Sequence, residues 1–373
     1  MNHLHCPLTI ILFAIVAVGC REQASSRLPP SNVKSDEDIL FFPTYGRYDE
    51  ASGVWRFDVH GIAFEPEDSS AKRAALNAIL RASADVSVDA DDSLFLDSRI
   101  KPFLVDHERG KSVTIKVAGE QFKAGTSEAN GHFSASLVLN ADGRGATEEK
   151  NRILEIQAVL GIGDSRTFTG RVHLIASHGV SVISDIDDTI KHSQVTDKSE
   201  LLQNTFLREF RAVEGMPELY HRLADFDVAF HYVSGSPWQL YQPIDAFMSE
   251  TGFPNGTFHL KQFRLTDSSA LDLLSSQQET KFAAIKPLLD AFPQRAFILI
   301  GDSGEQDPEI YGRIAREHAN QIVGIFIRNV TNEKSDDERF ANAFEKVARD
   351  RWALFDDVSQ ITEQIINLAK TKH

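Results

Sequence analysis

The stretch Gly179–Ile190, GVSVISDIDDTI, places a short apolar run directly before three carboxylates, Asp185, Asp187 and Asp188. Such a run, ending in polar residues, predicts a buried parallel strand that delivers side chains to its carboxyl end. In open α/β sheets, ligands bind at that edge. Crowded carboxylates repel one another unless a cation lies between them, and a hard, oxygen-ligated ion such as Mg²⁺ fits best.

Two simpler interpretations of this stretch are a solvated acidic loop and a calcium-binding EF-hand. The order of hydrophobic strand followed by D-x-D-x-T, together with partner residues further along the chain, argues against the loop. An EF-hand needs Gly at position 6 and Glu at position 12. Ile190 and Thr196 occupy those positions, which excludes it.

Composition limits the classes of protein that this chain can belong to. Its 373 residues allow two ordinary domains, and 42% hydrophobic and 25% charged residues are typical of a globular protein. A net charge of −15 argues against general nucleic-acid binding through a basic surface.

The first residues resemble an export signal. Leu8–Val18 is an apolar run that is too short to span a bilayer but has the length of a signal-peptide core. It ends in a sequence similar to a bacterial lipoprotein box, so we predict a signal peptide over residues 1–19 and lipidation of Cys20. A non-lipoprotein signal or an uncleaved anchor stays open, because residues 1–7 lack Lys and Arg and Ala17 stands where Leu is more usual. The expected location is a bacterial membrane, on the periplasmic side, with the lipid on Cys20 as anchor.

Three further segments follow in the predicted organisation. Residues 20–38 lack periodicity and are rich in Ser, Pro and charges, which predicts a flexible tether. Residues 39–178 alternate apolar and polar residues between turn signals, which indicates a β-sandwich-like domain with one helix, Ser70–Ala82. Residues 179–373 alternate helical and strand patterns, which predicts a doubly wound parallel sheet and an α/β fold class. Trp352–Lys370 is expected to be a closing amphipathic helix.

Polar residues stand at the carboxyl ends of three predicted strands in this last segment. Asp185 and Asp187 follow the first strand, Ser234 the second, and Asp302 and Asp307 the third. The carboxyl ends of parallel strands are neighbours, so these residues are expected to form one site. Lys281, at the start of the helix before the third strand, is the preferred cationic partner; Lys261 and Lys286 are the alternatives.

This order of motifs resembles the haloacid dehalogenase-like phosphatases. The resemblance implies that Asp185 is the nucleophile that forms an aspartyl-phosphate, and that Asp187 is the general acid and base. Thr189, Ser234 and the adjacent Gly235 would then bind the substrate phosphate.

In the same resemblance Lys281 offsets negative charge, and Mg²⁺ is the cofactor. The ion would be held by Asp185, the backbone carbonyl of Asp187 and Asp302, with Asp307 in the acidic fourth motif and further from the ion. The gaps from Thr189 to Ser234 and from Ser236 to Lys281 are too short for a large cap domain. The expected fold is therefore a haloacid dehalogenase-like sheet without a large cap.

Longer strings resemble the actin-patch-type phosphatidate phosphatase family, whose catalytic domain is related to that of the lipins. They are Tyr232–Tyr241, YVSGSPWQLY, and Ile298–Tyr311, ILIGDSGEQDPEIY. Gly235 departs from the family, which more often has Ser there. Asp97 and Arg99–Phe103 are similar to part of the β-rich region of bacterial members. The resemblance implies Mg²⁺-dependent hydrolysis of phosphatidate, a phospholipid substrate held at a membrane surface, to diacylglycerol and phosphate.

Two other functions stay open at this point. The chain could be a phosphatase that acts on another phosphomonoester, because recognition of acyl chains leaves no spacing signature. It could also be a non-catalytic phosphatidate-binding module, although modules of that kind have lost an acid of the first motif and this chain retains both Asp185 and Asp187.

Overall fold

The computed structural model describes residues 28–67, 69–71, 73–74, 78, 93–140, 153–262 and 278–371. The predicted signal peptide over residues 1–19 and the predicted lipidation site Cys20 lie outside these ranges. Most of the predicted helix Ser70–Ala82 does so too.

The second part of the chain contains a sheet of six strands that pair in parallel throughout. The strands are β10 (Val180–Ser184), β11 (Ala229–Pro237), β12 (Thr257–Lys261), β13 (Ala296–Asp302), β14 (Ile322–Arg328) and β15 (Trp352–Phe355). Their order in the sheet is β12-β11-β10-β13-β14-β15, so the direction of winding reverses between β10 and β13. Ligand sites of open α/β sheets lie outside the carboxyl ends of the strands at such a switch point.

Helices pack on both faces of this sheet, because consecutive residues of a strand point to opposite faces. Val182 of β10 belongs to a core with Leu219 and Ile365, and its neighbour Ile183 belongs to a second core with Ile285 and Ile314. The helices are α2 (Lys198–Phe206), α3 (Met216–Ala224), α4 (Tyr241–Glu250), α5 (Gln278–Ala291), α6 (Asp307–Glu317), α7 (Glu338–Ala343) and α8 (Ser359–Thr371). The predicted α/β class is confirmed. Within the described residues, no helix is both long enough and apolar enough to cross a membrane.

The C-terminal segment differs from its prediction. Trp352–Phe355, expected to begin a helix, forms the edge strand β15, and the helix α8 starts only at Ser359. Trp352 is buried and stacks on Phe344 at 4.4 Å between ring centroids, so core packing decides its conformation. Asp357 accepts a hydrogen bond from the backbone N–H of Ser359 at 2.8 Å, which marks the start of the helix.

The β-rich part forms one connected sheet of nine strands. These are β1 (Asp38–Phe42), β2 (Thr44–Asp49), β3 (Val54–Glu65), β4 (Asp106–His107), β5 (Ser112–Val117), β6 (Glu120–Thr126), β7 (His132–Asn140), β8 (Ile153–Ala158) and β9 (Thr169–Ile175). The long strand β3 buries Trp55, Phe57 and Val59 at alternate positions, as its sequence predicts. The β-rich character is thus present, whereas two separate sandwich sheets are not confirmed. The short helix α1 (Ser93–Ile100) precedes β4.

Residues 28–37, which the sequence analysis placed in a flexible tether, are bound to this sheet. The backbone N–H of Ser31 donates to the carbonyl of Val159 at 2.8 Å, and its hydroxyl donates to the carbonyl of Thr114 at 3.1 Å. Glu37 is fully buried, and its carboxylate lies 2.5 Å from Lys111 Nζ. These contacts are made by polar and backbone groups, so hydrophobic periodicity does not reveal them.

Two arginines join the β-rich part to the parallel sheet. Arg99, which is buried, donates to the carbonyls of Thr205 and Arg208 at 2.8 and 2.6 Å and lies over the ring of Phe210. Arg171 of β9 pairs with Asp245 of α4 at 2.8 Å. The two parts of the chain therefore share charged as well as apolar contacts.

The ion pair of Glu37 leads to a prediction about stability. Burial alone would raise the pKa of Glu37, but hydrogen bonds from Lys111 and Lys34 lower it from 4.5 to about 2. Because the folded pKa lies below the unfolded one, this stabilisation is present above about pH 4.5 and is lost as the pH falls toward 2. We expect Glu37→Gln to lower the free energy of unfolding by about 2 kcal/mol at neutral pH.

Urea denaturation at about pH 7 and about pH 3 measures this effect. The exposed Glu120→Gln is the matched control and should change the free energy of unfolding by less than about 0.5 kcal/mol. A cost of Glu37→Gln that is equally large at both pH values would contradict the assignment.

Candidate active site

The site begins at Asp185, the first residue after β10. Its backbone N–H donates to the carbonyl of Ile300 at 2.9 Å, which continues the pairing with β13 and fixes the carboxylate at the edge of the sheet. The side chain is fully buried. One carboxylate oxygen, Oδ2, accepts from the Thr189 hydroxyl at 2.9 Å, and the other, Oδ1, lies 2.8 Å from Lys281 Nζ.

Lys281 of α5 is buried among three acidic side chains. Its Nζ lies 2.8 Å from Asp185, 2.9 Å from Glu305 and 2.5 Å from Asp307. Burial lowers the pKa of this ammonium group, but the three carboxylates raise it more, so its pKa stands well above the ordinary value. Lys286 instead pairs with Asp290 on the exposed side of the helix. The structure thus brings Lys281 to the site.

Asp185, Asp302 and Asp307 form a cluster that fits a divalent cation. One carboxylate oxygen from each lies within 4.8 Å of the others, and all three residues are buried. Asp302 Oδ2 is buried without a hydrogen-bond partner in the part of the chain that the structure describes, and the contact given for Asp185 Oδ1 is the ion pair with Lys281. Unpaired buried carboxylate oxygens are costly, and a hard cation such as Mg²⁺ would satisfy them.

Local backbone features hold the second and third acids of this cluster. Asp302 Oδ1 accepts from the backbone N–H groups of Gly304 and Glu305 at 2.6 and 3.1 Å. A Cβ on Gly301 would come within 2.2 Å of Asp307 Oδ2, so a glycine is needed there. Burial, together with the nearby charge of Asp307, raises the pKa of Asp302 well above its usual range.

Asp187 has a different environment from Asp185, although the two residues are only two positions apart. Its Oδ1 lies 2.8 Å from Lys191 Nζ and accepts from the Ser193 hydroxyl at 2.7 Å. Its Oδ2 accepts from the hydroxyls of Ser234 and Ser236 at 2.9 and 2.8 Å. Burial raises the pKa of this carboxyl, but Lys191 and the hydroxyl groups lower it further, to well below the usual range.

Asp188 shapes the loop that carries these side chains. It has a positive φ of 55°, and its carboxylate accepts from the backbone N–H groups of Ser193, Gln194 and Val195 at 2.7 to 2.9 Å. Arg328 donates to the Asp188 carbonyl at 2.7 Å. The hydrogen bonds of the Asp188 carboxylate therefore fix the loop that follows Asp187.

A small recess of about 30 Å³ lies beside the carboxylates. Ser234, Gly235 and Lys281 line it together with His259 and Lys261 of β12. The pairing of β11 with β12 shifts register between Ser234 and Pro237, which turns this part of the chain around the site. The recess thus joins both predicted phosphate-binding residues of β11 to Lys281.

The structure brings together all the residues predicted from the motifs: Asp185, Asp187, Thr189, Ser234, Gly235, Lys281, Asp302 and Asp307. The Asp187 side chain bonds to lysine and hydroxyl groups and is not part of the acidic cluster, and the metal-binding role of its backbone carbonyl stays a prediction. Sequence reasoning missed four residues that contact the acids or Lys281: Lys191, Ser193, Ser236 and Glu305. Their closeness to the motifs in sequence is the only signal that could have indicated them.

Residues 180–329 match the family model described as Phosphatidate phosphatase APP1, catalytic domain. That range includes every site residue named above. The chain is 37% identical over 180 residues to phosphatidate phosphatase APP1 of Saccharomyces cerevisiae, which covers 47% of this chain and 30% of the yeast protein. It is 29% identical over 194 residues to an uncharacterised protein of Schizosaccharomyces pombe, covering 49% and 31% of the two chains. The chain thus spans about a third of the length of the curated relatives it matches.

Among solved structures, a β-glucuronidase of Parabacteroides merdae superposes with a TM-score of 0.29 and 9% identity, covering 91% of this chain and 39% of that one. A score this low carries no information about the fold or the function.

The acidic cluster leads to a prediction about cation binding. We expect Mg²⁺ at about 100 times its Kd to raise the free energy of unfolding by about 2.7 kcal/mol, because the ion binds only the folded state. Asp302→Asn should abolish most of this increase, since it removes one ligand charge. Thermal or urea unfolding with and without Mg²⁺ measures it. Asp290→Asn, which changes an exposed carboxylate, should keep the full increase; an equal response in both variants would argue against a site at Asp302.

Proposed function

We propose that this chain is a Mg²⁺-dependent phosphatidate phosphatase that releases diacylglycerol and phosphate through an aspartyl-phosphate on Asp185. The observation that carries the proposal is the pair Asp185 and Asp187, buried side by side in opposite electrostatic environments. The match of residues 180–329 to the APP1 catalytic domain supports the substrate. The parallel sheet with its site at the switch point supports a haloacid dehalogenase-like fold.

The first step transfers the phosphoryl group to the enzyme. A carboxylate oxygen of Asp185 attacks phosphorus, and the bond from phosphorus to the glycerol oxygen breaks. That oxygen takes a proton from Asp187 and leaves as diacylglycerol. Asp187 is ionised in the free site, and the negative charge of a phosphate beside it favours the protonated form that this step needs.

The second step releases phosphate. A water molecule attacks phosphorus of the aspartyl-phosphate while the Asp187 carboxylate accepts its proton, and the bond to the Asp185 oxygen breaks. Asp185 is regenerated as a carboxylate, and Asp187 holds the proton taken from the water until phosphate leaves the site. The hydroxyl of Ser236 holds Asp187 in one orientation during both steps, and that of Ser234, which bonds to Asp187 in the free site, can turn to the phosphate.

The surrounding residues bind the substrate phosphate and balance its negative charge. Thr189, Ser234, Gly235 and Lys281 bind the phosphate oxygens, and Lys281 offsets their charge. Asp185, Asp302 and the backbone carbonyl of Asp187 would hold Mg²⁺, with Asp307 beside them in the same acidic cluster. When bound, the ion supplies positive charge that stabilises the transferring phosphoryl group.

The proposed setting is a bacterial membrane. Residues 1–19 act as a lipoprotein-type signal peptide, and acylated Cys20 anchors the mature chain on the periplasmic side. Anchoring would keep the site at the surface where a phospholipid substrate lies. Export with anchoring and phosphatase activity are independent parts of the proposal, since they rest on different residues.

Asp185→Asn tests the chemistry. An amide cannot act as the attacking carboxylate, so we expect phosphate release from phosphatidate to fall at least about 10³-fold. The measurement is phosphate release from phosphatidate in detergent micelles, with Mg²⁺ and with a chelator. The chelator should abolish the activity of the wild type. Asp290→Asn serves as the control.

Two results would change the proposal. Release from a soluble phosphomonoester that depends on Asp185, without release from phosphatidate, would retain a phosphatase and exclude the lipid substrate. Absence of release from both, together with binding to phosphatidate vesicles, would establish a binding module.

Lys281→Met tests the assignment of the cation. Loss of the ammonium group leaves the phosphate and Asp185 without their positive neighbour, so we expect kcat to fall about 10²–10³-fold. Lys286→Met, on the exposed side of the same helix, should leave kcat within about twofold of the wild type. Unfolding in Mg²⁺ shows whether each variant is folded. A greater loss in Lys286→Met would show that the third-motif lysine is misassigned.

A further inference from the structure

A cavity of about 320 Å³ lies between the β-rich part and the parallel sheet. Its volume is within the range of about 300–1,000 Å³ found for ligand pockets. Most of the side chains that line it are apolar, among them Leu40, Phe64, Val105, Phe168 and Trp238. Lys101 and Gln242 line the part that meets solvent, because both are exposed. The interior is thus suited to a hydrocarbon group and the opening to a polar one.

The cavity exists only because two parts of the chain meet. Leu40, Phe64 and Phe168 belong to the β-rich part, whereas Trp238 and Gln242 follow strand β11 of the parallel sheet. The segment after α1 supplies the remaining wall with Lys101, Pro102 and Val105. The buried guanidinium of Arg99 holds that segment in place through the carbonyls of Thr205 and Arg208. This gives a structural role to the string Arg99–Phe103, which the proposed chemistry does not use.

Trp238 connects the cavity to the site. It stands two residues after Ser236, whose hydroxyl bonds to Asp187 at 2.8 Å. Two residues span at most about 7 Å, so this residue of the cavity wall lies within about 7 Å of Ser236 along the backbone. Ser234 of the phosphate-binding edge and Trp238 of the cavity wall thus belong to one segment of five consecutive residues.

Trp238 itself forms part of the cavity wall. It is 3% exposed, and its Nε1 is buried away from the cavity, so the indole offers the cavity an aromatic surface rather than a hydrogen-bond donor.

We infer that this cavity binds one acyl chain of the phospholipid substrate. The inference rests on the proposed function and deepens it, because a lipid whose phosphate lies at Asp185 must also place its chains. The β-rich part is then a component of the substrate site, since it forms half of the cavity. Chain length becomes a determinant of specificity.

The test compares two substrates, dioleoyl phosphatidate in mixed micelles and dihexanoyl phosphatidate as a soluble monomer. Leu40→Phe narrows the cavity, and it should lower the ratio of kcat/KM for the long-chain to the short-chain substrate about tenfold. Leu137→Phe makes the same change at a partly buried residue of β7 outside the cavity, and should leave the ratio unchanged. A ratio that is unaffected by Leu40→Phe, or lowered equally by Leu137→Phe, overturns the inference.

A binding measurement keeps the inference separate from the activity. The chain has 3 tryptophans, so Trp55→Phe with Trp352→Phe leaves Trp238 as the only one, and Asp185→Asn prevents turnover. Phosphatidate with a brominated acyl chain should quench Trp238 fluorescence, and Leu40→Phe should weaken the quenching. If Trp238 is quenched but the wild type hydrolyses no phosphatidate, the proposed function is refuted and the cavity assignment is supported. Active wild type without quenching of Trp238 refutes the cavity assignment alone.

Discussion

The buried ammonium group of Lys281 is the contact on which the site depends. It faces Asp185, Glu305 and Asp307 at ion-pair distance, with Asp302 beside them. One positive charge cannot balance four carboxylates in a place that water hardly reaches, and the pKa values of Asp185 and Asp302 rise accordingly. The arrangement therefore favours a second positive charge. A divalent cation at the acidic cluster would balance the group and return the carboxylates to their ionised form.

The same electrostatics separates the roles of two acids that lie two positions apart. Asp185 is buried among other acids, whereas Asp187 is held by Lys191 and by the hydroxyl groups of Ser193 and Ser234. Burial therefore raises the pKa of Asp185, and the contacts of Asp187 lower its pKa. Acids whose pKa values are driven apart by their surroundings can serve as distinct groups in one reaction. Asp185 and Asp187 are close in sequence, yet their pKa values differ because different residues surround each carboxylate.

Sequence patterns predicted the parts of this structure that repeat. Apolar runs located β10, β11, β13 and β14, and the rule that ligands gather at strand ends brought their polar residues to one edge. Sequence patterns failed to predict local structure where tertiary contacts determine it. Trp352 lies in a strand because it stacks in the core, and Ser31 is ordered because its polar groups bond to β-strand carbonyls. Lys191 was missed for a similar reason, since an isolated lysine in a polar loop gives no sign that it is buried.

The interface between the two parts of the chain bears on what the catalytic segment can do alone. Residues 180–329 contain every acid of the site, yet the side chains packed around Trp238 include Phe42, Phe64 and His132 from the β-rich part. The segment Ser234–Trp238 is thus held at one end by Asp187 and at the other by aromatic rings of the neighbouring sheet. Because both ends belong to a few consecutive residues, a shift of the β-rich part would move the serine hydroxyls that orient Asp187. The geometry of the site therefore depends on a part of the chain that lies outside residues 180–329.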